Sequence, residues 1–423
     1  MAQNPDTLLG IAARIGGYDA SALPMAQARE FLDRLVPRLT DVQVVSLHNA
    51  LGRVPAIDVV STLNVPPLDN SAMDGYALRA ADVPVAGTLL PVSQRIPAGV
   101  VGQALQAGTA ARIFTGAQVP AGADAVVMQE QCATQDGTVR INTVPAAGQW
   151  VRRSAEDVAA GAVVLKRGTR LTPQCLGMAA SVGAATLQVA RRPRVALFST
   201  GDELAMPGEV LKPGAIFNSN RYTLRALVQA LGCDCTDLGI VADRLDATRA
   251  ALRTAAAEHD LVLTCGGVSV GEEDHLKPAV EAEGRLDIWQ IAIKPGKPLA
   301  FGEVFRTDAS SAWFIGLPGN PVSAFVTFLL TVRPVLLHLQ GVAVQAPVAM
   351  SLRADFDWPQ PDKRREFLRV RRNAQGGLDL FPNQGSGVLT STVWGDGLVD
   401  NPSKKIIQRG DVVQYLSLTE LLA

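Results

Sequence analysis

The 423-residue sequence has few cysteines, no long uninterrupted apolar run and almost no net charge. Its five cysteines are scattered and odd in number, which argues against a disulfide framework. Cys233 and Cys235 have no nearby His or Cys to complete a zinc site, so structural cysteines are the simpler interpretation. The most apolar run, from Phe325 to Leu337, is interrupted by an arginine and a proline and is too short to span a bilayer.

The formal net charge of -1 excludes a global electrostatic attraction to DNA or to an anionic membrane. Any bound anion must therefore be held by local groups. The first ten residues, MAQNPDTLLG, lack the basic start and apolar core of a secretory signal. We therefore expect a soluble, cytoplasmic protein that binds neither nucleic acid nor membrane. The length predicts about three globular domains.

The N-terminal part of the sequence has the pattern of one helix followed by mainly β structure. Apolar residues at helical spacing predict an amphipathic helix from Pro24 to Leu39. Short Val, Ile and Leu runs separated by Gly and Pro predict a mainly β region with tight turns from Val42 to Leu171. A short helix is predicted from Thr172 to Val182.

The middle of the chain alternates between apolar strands and helical segments. Continuous apolar runs predict strands buried on both faces, and the alternation predicts a mostly parallel, doubly wound sheet with helices on both faces. The predicted strands are Arg194–Ser199, Cys235–Val241, Leu261–Cys265, Ile288–Ile293, Pro298–Gly302 and Trp313–Leu317, and the predicted helices are Arg221–Leu231, Leu245–Glu258, Leu276–Glu283 and Val322–Leu339. After Gln340 helical patterns stop, and Met350–Ala423 is predicted to be a small β domain.

Four unusual segments follow predicted strands, at the edge where a doubly wound sheet binds its ligands. Each segment alone could be ordinary turn chemistry, and Asp243 is equally well explained as a helix N-cap. Because small residues with free backbone N–H groups form anion cradles, their convergence on one edge favours a phosphate ligand. The segments are STGDEL (Ser199–Leu204), Val241–Asp243, GGVSVGEED (Gly266–Asp274) and LPGNP (Leu317–Pro321).

Charged and turn-forming residues add to this pattern. Glu203, Asp243 and Asp274 would contribute carboxylate oxygens, the ligand type that Mg²⁺ prefers beside phosphate. The KPGKP segment (Lys294–Pro298) places two lysines on a turn stiffened by proline and glycine, which suits an oxyanion. The loop DNSAMDGYA (Asp69–Ala77) is typical of a binding loop, with simple side-chain-to-backbone turns as the alternative.

These segments, in this order along nearly the whole chain, resemble the molybdopterin molybdenumtransferase family, which includes the E domain of gephyrin. The matching stretches are DNSAMDGYA, TGA (Thr115–Ala117), STGDEL, GGVSVGEED, KPGKP and LPGNPVS (Leu317–Ser323). The resemblance implies a multidomain α/β plus β fold in an elongated homodimer. The implied domains are a discontinuous linker and dimerisation domain (1–55 and 158–192), an inserted β domain (56–157), a molybdopterin-binding, adenylyltransferase-like α/β domain (193–342) and a C-terminal β-barrel-like domain (343–423).

The reaction implied by the resemblance is Mg²⁺-dependent insertion of molybdate into adenylylated molybdopterin, giving molybdenum cofactor and AMP. Molybdate and the pyrophosphate link are both anionic, so lysine, arginine, N–H groups and a cation should share one cleft. The substrate's own dithiolene should supply the sulfur ligands. Other proteins of the cofactor pathway and molybdoenzyme maturation factors are further expected partners.

The resemblance assigns roles to residues that match its motifs. Glu203, Asp274, Lys294 and Asp74 are expected to be catalytic, and Glu203, Asp243 and Asp274 to bind the metal. The inserted β domain of the second subunit is expected to offer Asp74, Thr115 and Asp157 to the cleft. The expected substrate-binding residues are Thr115, Asp157, Ser269, Lys297, Pro318, Asn320, Pro321, Arg369 (in RREFLR) and Ser386 (in NQGSG).

Two other functions stay open at the level of the sequence. A molybdopterin adenylyltransferase would share the α/β domain, but the two extra β regions and the DNSAMDGYA loop argue against it. A gephyrin-like interaction scaffold is the second alternative. The sequence contains neither a long disordered linker nor a second fused catalytic domain to support it.

Overall fold

The computed structural model describes residues 38–268, 275–342 and 347–422. The chain divides into two compact units. The N-terminal unit consists of Val44–Leu51 and Ile57–Gln188, and the C-terminal unit is built mainly from Val189 onward. The predicted helix from Pro24 to Leu39 lies outside the described residues except for its last two positions. The finer domain boundaries inferred from the sequence stay a prediction.

The N-terminal unit is mainly β, as the short apolar runs predicted. Its strands, with those at its border, are β1 (Val42–Ser46), β2 (Val59–Val60), β3 (Asn70–Ser71), β4 (Gly75–Leu78), β5 (Thr88–Ile96), β6 (Ala110–Ile113), β7 (Ala125–Met128), β8 (Cys132–Gln135), β9 (Thr138–Ile141), β10 (Val151–Arg152), β11 (Val163–Leu165) and β12 (Thr186–Ala190). Its helices are α1 (Pro173–Ser181) and the 3₁₀ helices Leu47–Asn49, Ala80–Asp82 and Gln129–Gln131. The helix predicted from Thr172 to Val182 is confirmed.

A six-stranded sheet in the order β7-β4-β6-β5-β9-β8 dominates this unit. The pairs β1–β12, β2–β11 and β3–β10 form separate two-stranded sheets. Successive residues of a strand face opposite sides, and both faces of β4 are covered. Tyr76 and Leu78 pack into one apolar cluster, and Ala77 packs into another.

The middle of the chain forms the predicted doubly wound domain. Its strands are β13 (Arg194–Thr200), β14 (Leu204–Ala205), β15 (Ile216–Phe217), β16 (Asp234–Val241), β17 (Leu261–Cys265), β18 (Gly284–Gln290), β19 (Ile293–Lys294), β20 (Pro298–Phe305) and β21 (Ser311–Leu317). Its helices are α2 (Ser219–Ala230), α3 (Leu245–Glu258), α4 (Leu276–Glu283), α5 (Pro321–Thr327), a π-helical turn (Phe328–Val332) and α6 (Arg333–Leu339). The main sheet has the order β16-β13-β17-β21-β20-β18. β16, β13, β17 and β21 are parallel, β20 is antiparallel to β21, and β18 is antiparallel to β20.

The apolar runs are explained by burial on both faces of this sheet. In β13, Val195 and Leu197 join the larger core, while Ala196 and Phe198 face the second core. The segment Pro321–Leu339 is long and apolar enough to cross a membrane. However, 89% of its most apolar 18-residue stretch is buried inside the protein. It therefore has the burial of a core helix in a soluble protein.

Three details of this domain differ from prediction. The predicted strand Ile288–Ile293 is divided, because β18 runs from Gly284 to Gln290 and Ile293 belongs to β19 in another sheet, and the small β14–β15 sheet was not predicted. Strands of two residues contain no detectable alternation, because one period of the pattern is already the whole strand. The predicted long helix is present but includes a π-helical turn.

The last part of the chain closes into a small β-barrel, which confirms the predicted barrel-like domain. It consists of β22 (Met350–Ala354), β23 (Arg365–Arg372), β24 (Gly377–Leu380), β25 (Gly397–Asn401), β26 (Val412–Ser417), α7 (Thr390–Trp394) and α8 (Leu418–Leu422). β23 pairs with both β24 and β25, so the ring β23-β24-β22-β26-β25 has no open edge. The prediction that helices stop at Gln340 is wrong, because α7 and α8 follow it. The sequence pattern did not reveal these helices, because five residues are too few to show a helical period.

No disulfide joins the five cysteines, all of which lie in described ranges.

Candidate active site

The carboxyl ends of the parallel strands surround a cavity of about 390 Å³ in the C-terminal unit. The loops that follow β13, β16, β17 and β21 form its wall. Four of the predicted site residues line it: Glu203, Asp243, Pro318 and Asn320. The fold therefore brings segments that are far apart in the sequence into one cleft, at the edge where doubly wound sheets bind ligands.

Two glycines set the shape of this cleft. Gly201 has a φ of +141°, and a Cβ there would lie 2.5 Å from Glu203 Oε2. Gly266 has a φ of +95°, and a Cβ there would collide with the Thr200 carbonyl oxygen. A side chain at Gly266 would push apart the loops after two neighbouring strands, and one at Gly201 would displace the Glu203 carboxylate within its own loop.

Glu203 and Asp243 are the members of the predicted metal set that the structure describes. They come from the loops after β13 and β16, which are joined by a 3.4 Å hydrogen bond from the Asp243 N–H to Asp202 Oδ1. Within the described ranges, no group of three or more His, Cys, Asp or Glu could hold a metal ion. Asp274 and Ser269 lie outside the described residues, so their predicted roles stay predictions.

A polar contact that sequence reasoning missed ties three loops of the cleft together. Asn220 Nδ2 donates to the Gly319 carbonyl at 2.7 Å and to Cys265 Sγ at 3.1 Å. The Cys265 thiol donates to the Pro318 carbonyl at 3.3 Å. Burial raises the pKa of Cys265 to about 12, so the thiol stays protonated and can donate. A polar atom on the last residue of β17, directly before GGVSVG, was the available signal.

Three polar atoms in residues lining the cavity are buried without a hydrogen-bond partner in the described part of the chain. They are Ser199 Oγ, Thr200 Oγ1 and Asn218 Nδ2, in residues that are 1%, 4% and 2% exposed. Buried polar groups in proteins are normally hydrogen-bonded. The wall of the cleft therefore holds buried polar atoms whose hydrogen-bonding capacity the described residues do not use.

The KPGKP turn packs against the helix that follows LPGNP. The Lys297 carbonyl accepts a 2.9 Å backbone hydrogen bond that closes the turn. Gly296 is buried with a φ of +111°, and a Cβ on it would collide with the Thr327 hydroxyl. Pro298 reaches the cavity wall, whereas Lys294 and Lys297 lie outside its lining. The turn is thus fixed beside the cleft.

Lys294 is tethered to the barrel by two carboxylates. Its ammonium is 3.2 Å from Glu366 Oε1 and 3.5 Å from Asp362 Oδ2. Glu366 is 1% exposed and also accepts a 2.9 Å hydrogen bond from Trp358 Nε1. The Lys294 side chain remains 39% exposed, so its position is fixed while part of it faces solvent.

Arg369 is buried within the barrel, with 1% exposure. Its guanidinium donates to two backbone carbonyls and to the Ser391 hydroxyl, and burial lowers the pKa of Arg369 to about 10. One of those carbonyls belongs to the loop of Ser386, whose own carbonyl accepts a 3.0 Å hydrogen bond from the Val322 N–H. Arg369 therefore holds a loop that contacts the helix after LPGNP. To contact an anion directly, its guanidinium would have to give up one of these three hydrogen bonds.

The remaining predicted residues lie in the N-terminal unit. Thr115 donates to Asp74 Oδ1 through its N–H at 2.8 Å and its hydroxyl at 2.7 Å. These bonds, the backbone one first, hold the pKa of Asp74 below its usual range. Asp157 is exposed on another loop, where its N–H donates to the Val65 carbonyl at 3.0 Å. The structure thus brings Asp74 and Thr115 together as a fixed, exposed pair.

Three family models match successive parts of the chain. The MoeA N-terminal region (domain I and II) matches residues 23–183, the probable molybdopterin binding domain matches 196–338, and the MoeA C-terminal region (domain IV) matches 351–418. Together they account for most of the sequence.

Similar proteins agree with these matches. The molybdopterin molybdenumtransferase of Haemophilus influenzae is 43% identical over 320 residues, which are 75% of this chain and 78% of that protein. The one from Nostoc sp. is 39% identical over 375 residues, 86% of each chain. The crystal structure of the molybdopterin biosynthesis moeA protein from Pyrococcus horikoshii OT3 superposes with a TM-score of 0.82 at 29% identity, covering 94% of this chain and all of that one. The chain therefore belongs to the molybdopterin molybdenumtransferase family and acts in molybdenum cofactor biosynthesis.

Proposed function

We propose that the chain inserts molybdate into adenylylated molybdopterin, releasing AMP and forming molybdenum cofactor. The observation that carries the proposal is the cleft, in which Glu203, Asp243, the LPGNP loop and unpartnered buried polar atoms meet. An adenylylated pterin offers hydrogen-bonding groups and a charged pyrophosphate. Such a lining complements both, provided that a cation neutralises the phosphate charge beside the carboxylates.

The chemistry of the cleft suits Mg²⁺. Glu203 and Asp243 would hold the ion through carboxylate oxygens, with Asp274 as the third expected ligand. Mg²⁺ usually takes one or two protein carboxylates and completes its shell with water and phosphate oxygens, so a set of two carboxylates in the lining is compatible with it. When bound, the ion supplies charge neutralisation at the phosphate oxygens and at the departing AMP.

The KPGKP turn supplies positive charge for the oxyanion substrate. Lys297 is exposed and makes no ion pair within the described residues. Lys294 is restrained by Glu366, which reduces the entropy lost when it binds an anion. Cys265 in the cleft wall is protonated and engaged in hydrogen bonds, so the dithiolene of the substrate is left as the source of sulfur for molybdenum.

We also propose a homodimer in which the inserted β domain of a second copy presents Asp74, Thr115 and Asp157 to this cleft. The support within one chain is the fixed Asp74–Thr115 pair, whose carboxylate is exposed and held by two hydrogen bonds. An ionised group held in one orientation is suited to positioning a bound substrate.

The test is a defined reaction of purified protein with adenylylated molybdopterin, molybdate and Mg²⁺. We expect molybdate-dependent release of AMP, slowed about 100-fold in Glu203→Gln and in Lys294→Ala. Glu258→Gln is the control, because Glu258 is an exposed carboxylate at the end of α3 and does not line the cleft. Adenylylation of molybdopterin from ATP at a comparable rate, without molybdate-dependent AMP release, would overturn the proposal in favour of the adenylyltransferase.

A further inference from the structure

The N-terminal unit carries two arginines side by side on neighbouring strands. β5 and β6 are parallel, and their register sets Arg95 opposite Arg112. Like charges directly opposite each other on a sheet are destabilising. In the part of the chain that the structure describes, neither arginine forms an ion pair with a carboxylate. The pair is therefore a concentration of positive charge without a direct ion pair, although Arg112 also helps to lower the pKa of the nearby Asp74 carboxyl.

Both guanidinium groups pack on one aromatic ring. Arg95 Cζ lies 4.6 Å and Arg112 Cζ lies 4.7 Å from the centroid of Phe114. Arg112 Cζ also lies 5.3 Å from the centroid of Tyr76. Cation–π contacts offset part of the repulsion and restrict where the two charged groups can move.

The two arginines differ in what else they contact. Arg112 donates to the Gly75 carbonyl at 3.1 Å and to Gln129 Oε1 at 2.5 Å. Arg95 makes no hydrogen bond within the described residues, so the N–H groups of this exposed side chain are available. Arg112 is thus held in place by hydrogen bonds, whereas the N–H groups of Arg95 can donate to a ligand.

A groove of about 530 Å³ opens beside the pair. Arg95, Arg112 and Tyr76 line it, and Asp136 is the one carboxylate that lines it among the described residues. Asp136 does not come within 4.0 Å of either arginine, so it forms no ion pair with them. The groove therefore offers two oriented cations to a ligand from solution.

We propose that Arg95 and Arg112, positioned by Phe114, form an oxyanion site that takes a tetrahedral dianion, either molybdate or a phosphate group. Guanidinium groups present parallel N–H donors that match such oxygens, and a dianion between them would replace repulsion with attraction. The existence of the site is independent of the proposed reaction. The identity of its physiological ligand, free molybdate or the phosphate of the pterin substrate, rests on the proposed function.

Binding is measured by isothermal titration of sodium molybdate and of inorganic phosphate into the full chain. The Lys294→Ala/Lys297→Ala background removes the charges of the KPGKP turn. In that background, we expect Arg95→Gln to weaken oxyanion binding about tenfold or more. Arg140→Gln is the matched control, since Arg140 is an exposed arginine on β9 outside the groove, and it should bind as the background does. Unchanged affinity in Arg95→Gln overturns the proposal. Tighter binding of molybdate or of phosphate that depends on Arg95 supports the site and indicates which of the two anions is its ligand.

Thermal unfolding at low ionic strength separates oxyanion binding from a purely structural role. The parent protein here is the Lys294→Ala/Lys297→Ala background. Without added anion, Arg95→Gln in that background should unfold at the same or a higher temperature than the parent, because it removes a repulsive pair. Phosphate should raise the unfolding midpoint of the parent but not of the variant. A less stable variant with an unchanged response to phosphate would overturn the site. A chain that binds through Arg95 but does not insert molybdate would contradict only the proposed function.

Discussion

At the scale of single residues, the geometry of the cleft depends on buried contacts between loops as much as on its charged groups. Asn220 and Cys265 hold the loops after β17 and β21 together, although neither carries a charge. Sequence reasoning selected the carboxylates and lysines, because charged residues in turn-rich segments stand out. It did not select Cys265, because a cysteine at the end of an apolar run was interpreted as an apolar strand residue, although its position directly before GGVSVG was an available signal.

Cys265→Ala should weaken the fold and the cleft together. The substitution leaves the Pro318 carbonyl without its thiol donor and removes one acceptor of Asn220. We expect the free energy of unfolding to fall by about 1–3 kcal/mol, because unpaired buried groups keep their desolvation cost. Chemical denaturation measures the loss. Cys265→Ser keeps a donor and an acceptor and should lose less, and equal losses in both variants would contradict the role of these hydrogen bonds.

Glu366→Gln should impair the use of molybdate without unfolding the barrel. The amide can still accept from Trp358 Nε1, but it no longer offers a charge to Lys294. We expect the KM for molybdate to rise about tenfold, because Lys294 loses the nearer of its two carboxylate partners, with a smaller change in kcat. Steady-state kinetics at varied molybdate concentration measures both constants.

Asp400→Asn is the matched control for Glu366→Gln. Asp400 pairs with Arg365 on the same barrel, at 2.5 Å, and has no contact with Lys294. A normal KM in Glu366→Gln, or an equal increase in Asp400→Asn, would show that Glu366 does not position Lys294.

At the scale of elements, periodicity predicted the strands and helices that have enough residues to display it. The apolar runs of β13 and β17 and the helices α2 to α4 follow from burial on one or two faces. The start of β18, the β14–β15 pair and the five-residue helices of the barrel escaped prediction. Their conformations depend on partners that come from elsewhere in the chain, and a window of sequence does not contain those partners.

Gly296→Ala tests whether the KPGKP turn is fixed by its packing on the helix after LPGNP. A Cβ there would collide with the Thr327 hydroxyl, and the φ of +111° adds backbone strain. We expect a loss of about 2–4 kcal/mol in the free energy of unfolding, together with slower AMP release. Denaturant titration and the molybdate-dependent assay measure the two effects.

Gly410→Ala separates strain from collision. Gly410 has a similar φ of +100° but no atom within 4 Å of the added Cβ. The difference between the two variants is therefore the cost of the collision, and Thr327→Ala should recover part of it in the double variant. Equal losses at the two glycines would mean that the turn is not tightly packed.

At the scale of the whole molecule, motifs predicted which loops of the α/β domain meet, because strand order places carboxyl ends together. They did not predict the environment of each residue. Arg369 was expected at an anion, yet its guanidinium is enclosed by carbonyls and Ser391. Lys294 was expected to be available, yet it faces Glu366. The first outcome depends on packing inside the barrel, and the second depends on how the barrel packs against the α/β domain. Local spacing carries no information about either packing.

A mixture of two inactive variants tests the proposed sharing of sites between subunits. Asp74→Ala and Lys294→Ala would remove groups from different sides of a shared cleft. Co-expressed chains should therefore recover molybdate-dependent AMP release, because some mixed dimers contain one intact cleft. Each variant expressed alone is the control, and a mixture that stays as inactive as its parents would contradict sharing between subunits.

The pairing of β19 with β23 has a practical consequence for protein engineering. Ile293 aligns with Arg365 in that pairing, and Phe367, Leu398 and Leu416 of the barrel belong to the same core as the helices of the α/β domain. An α/β domain produced without the barrel would expose the apolar surface that the barrel covers, and its KPGKP turn would lose the ion pair between Lys294 and Glu366. We therefore expect it to precipitate. Chimeras between relatives should therefore exchange the α/β domain and the barrel together, from Val189 onward.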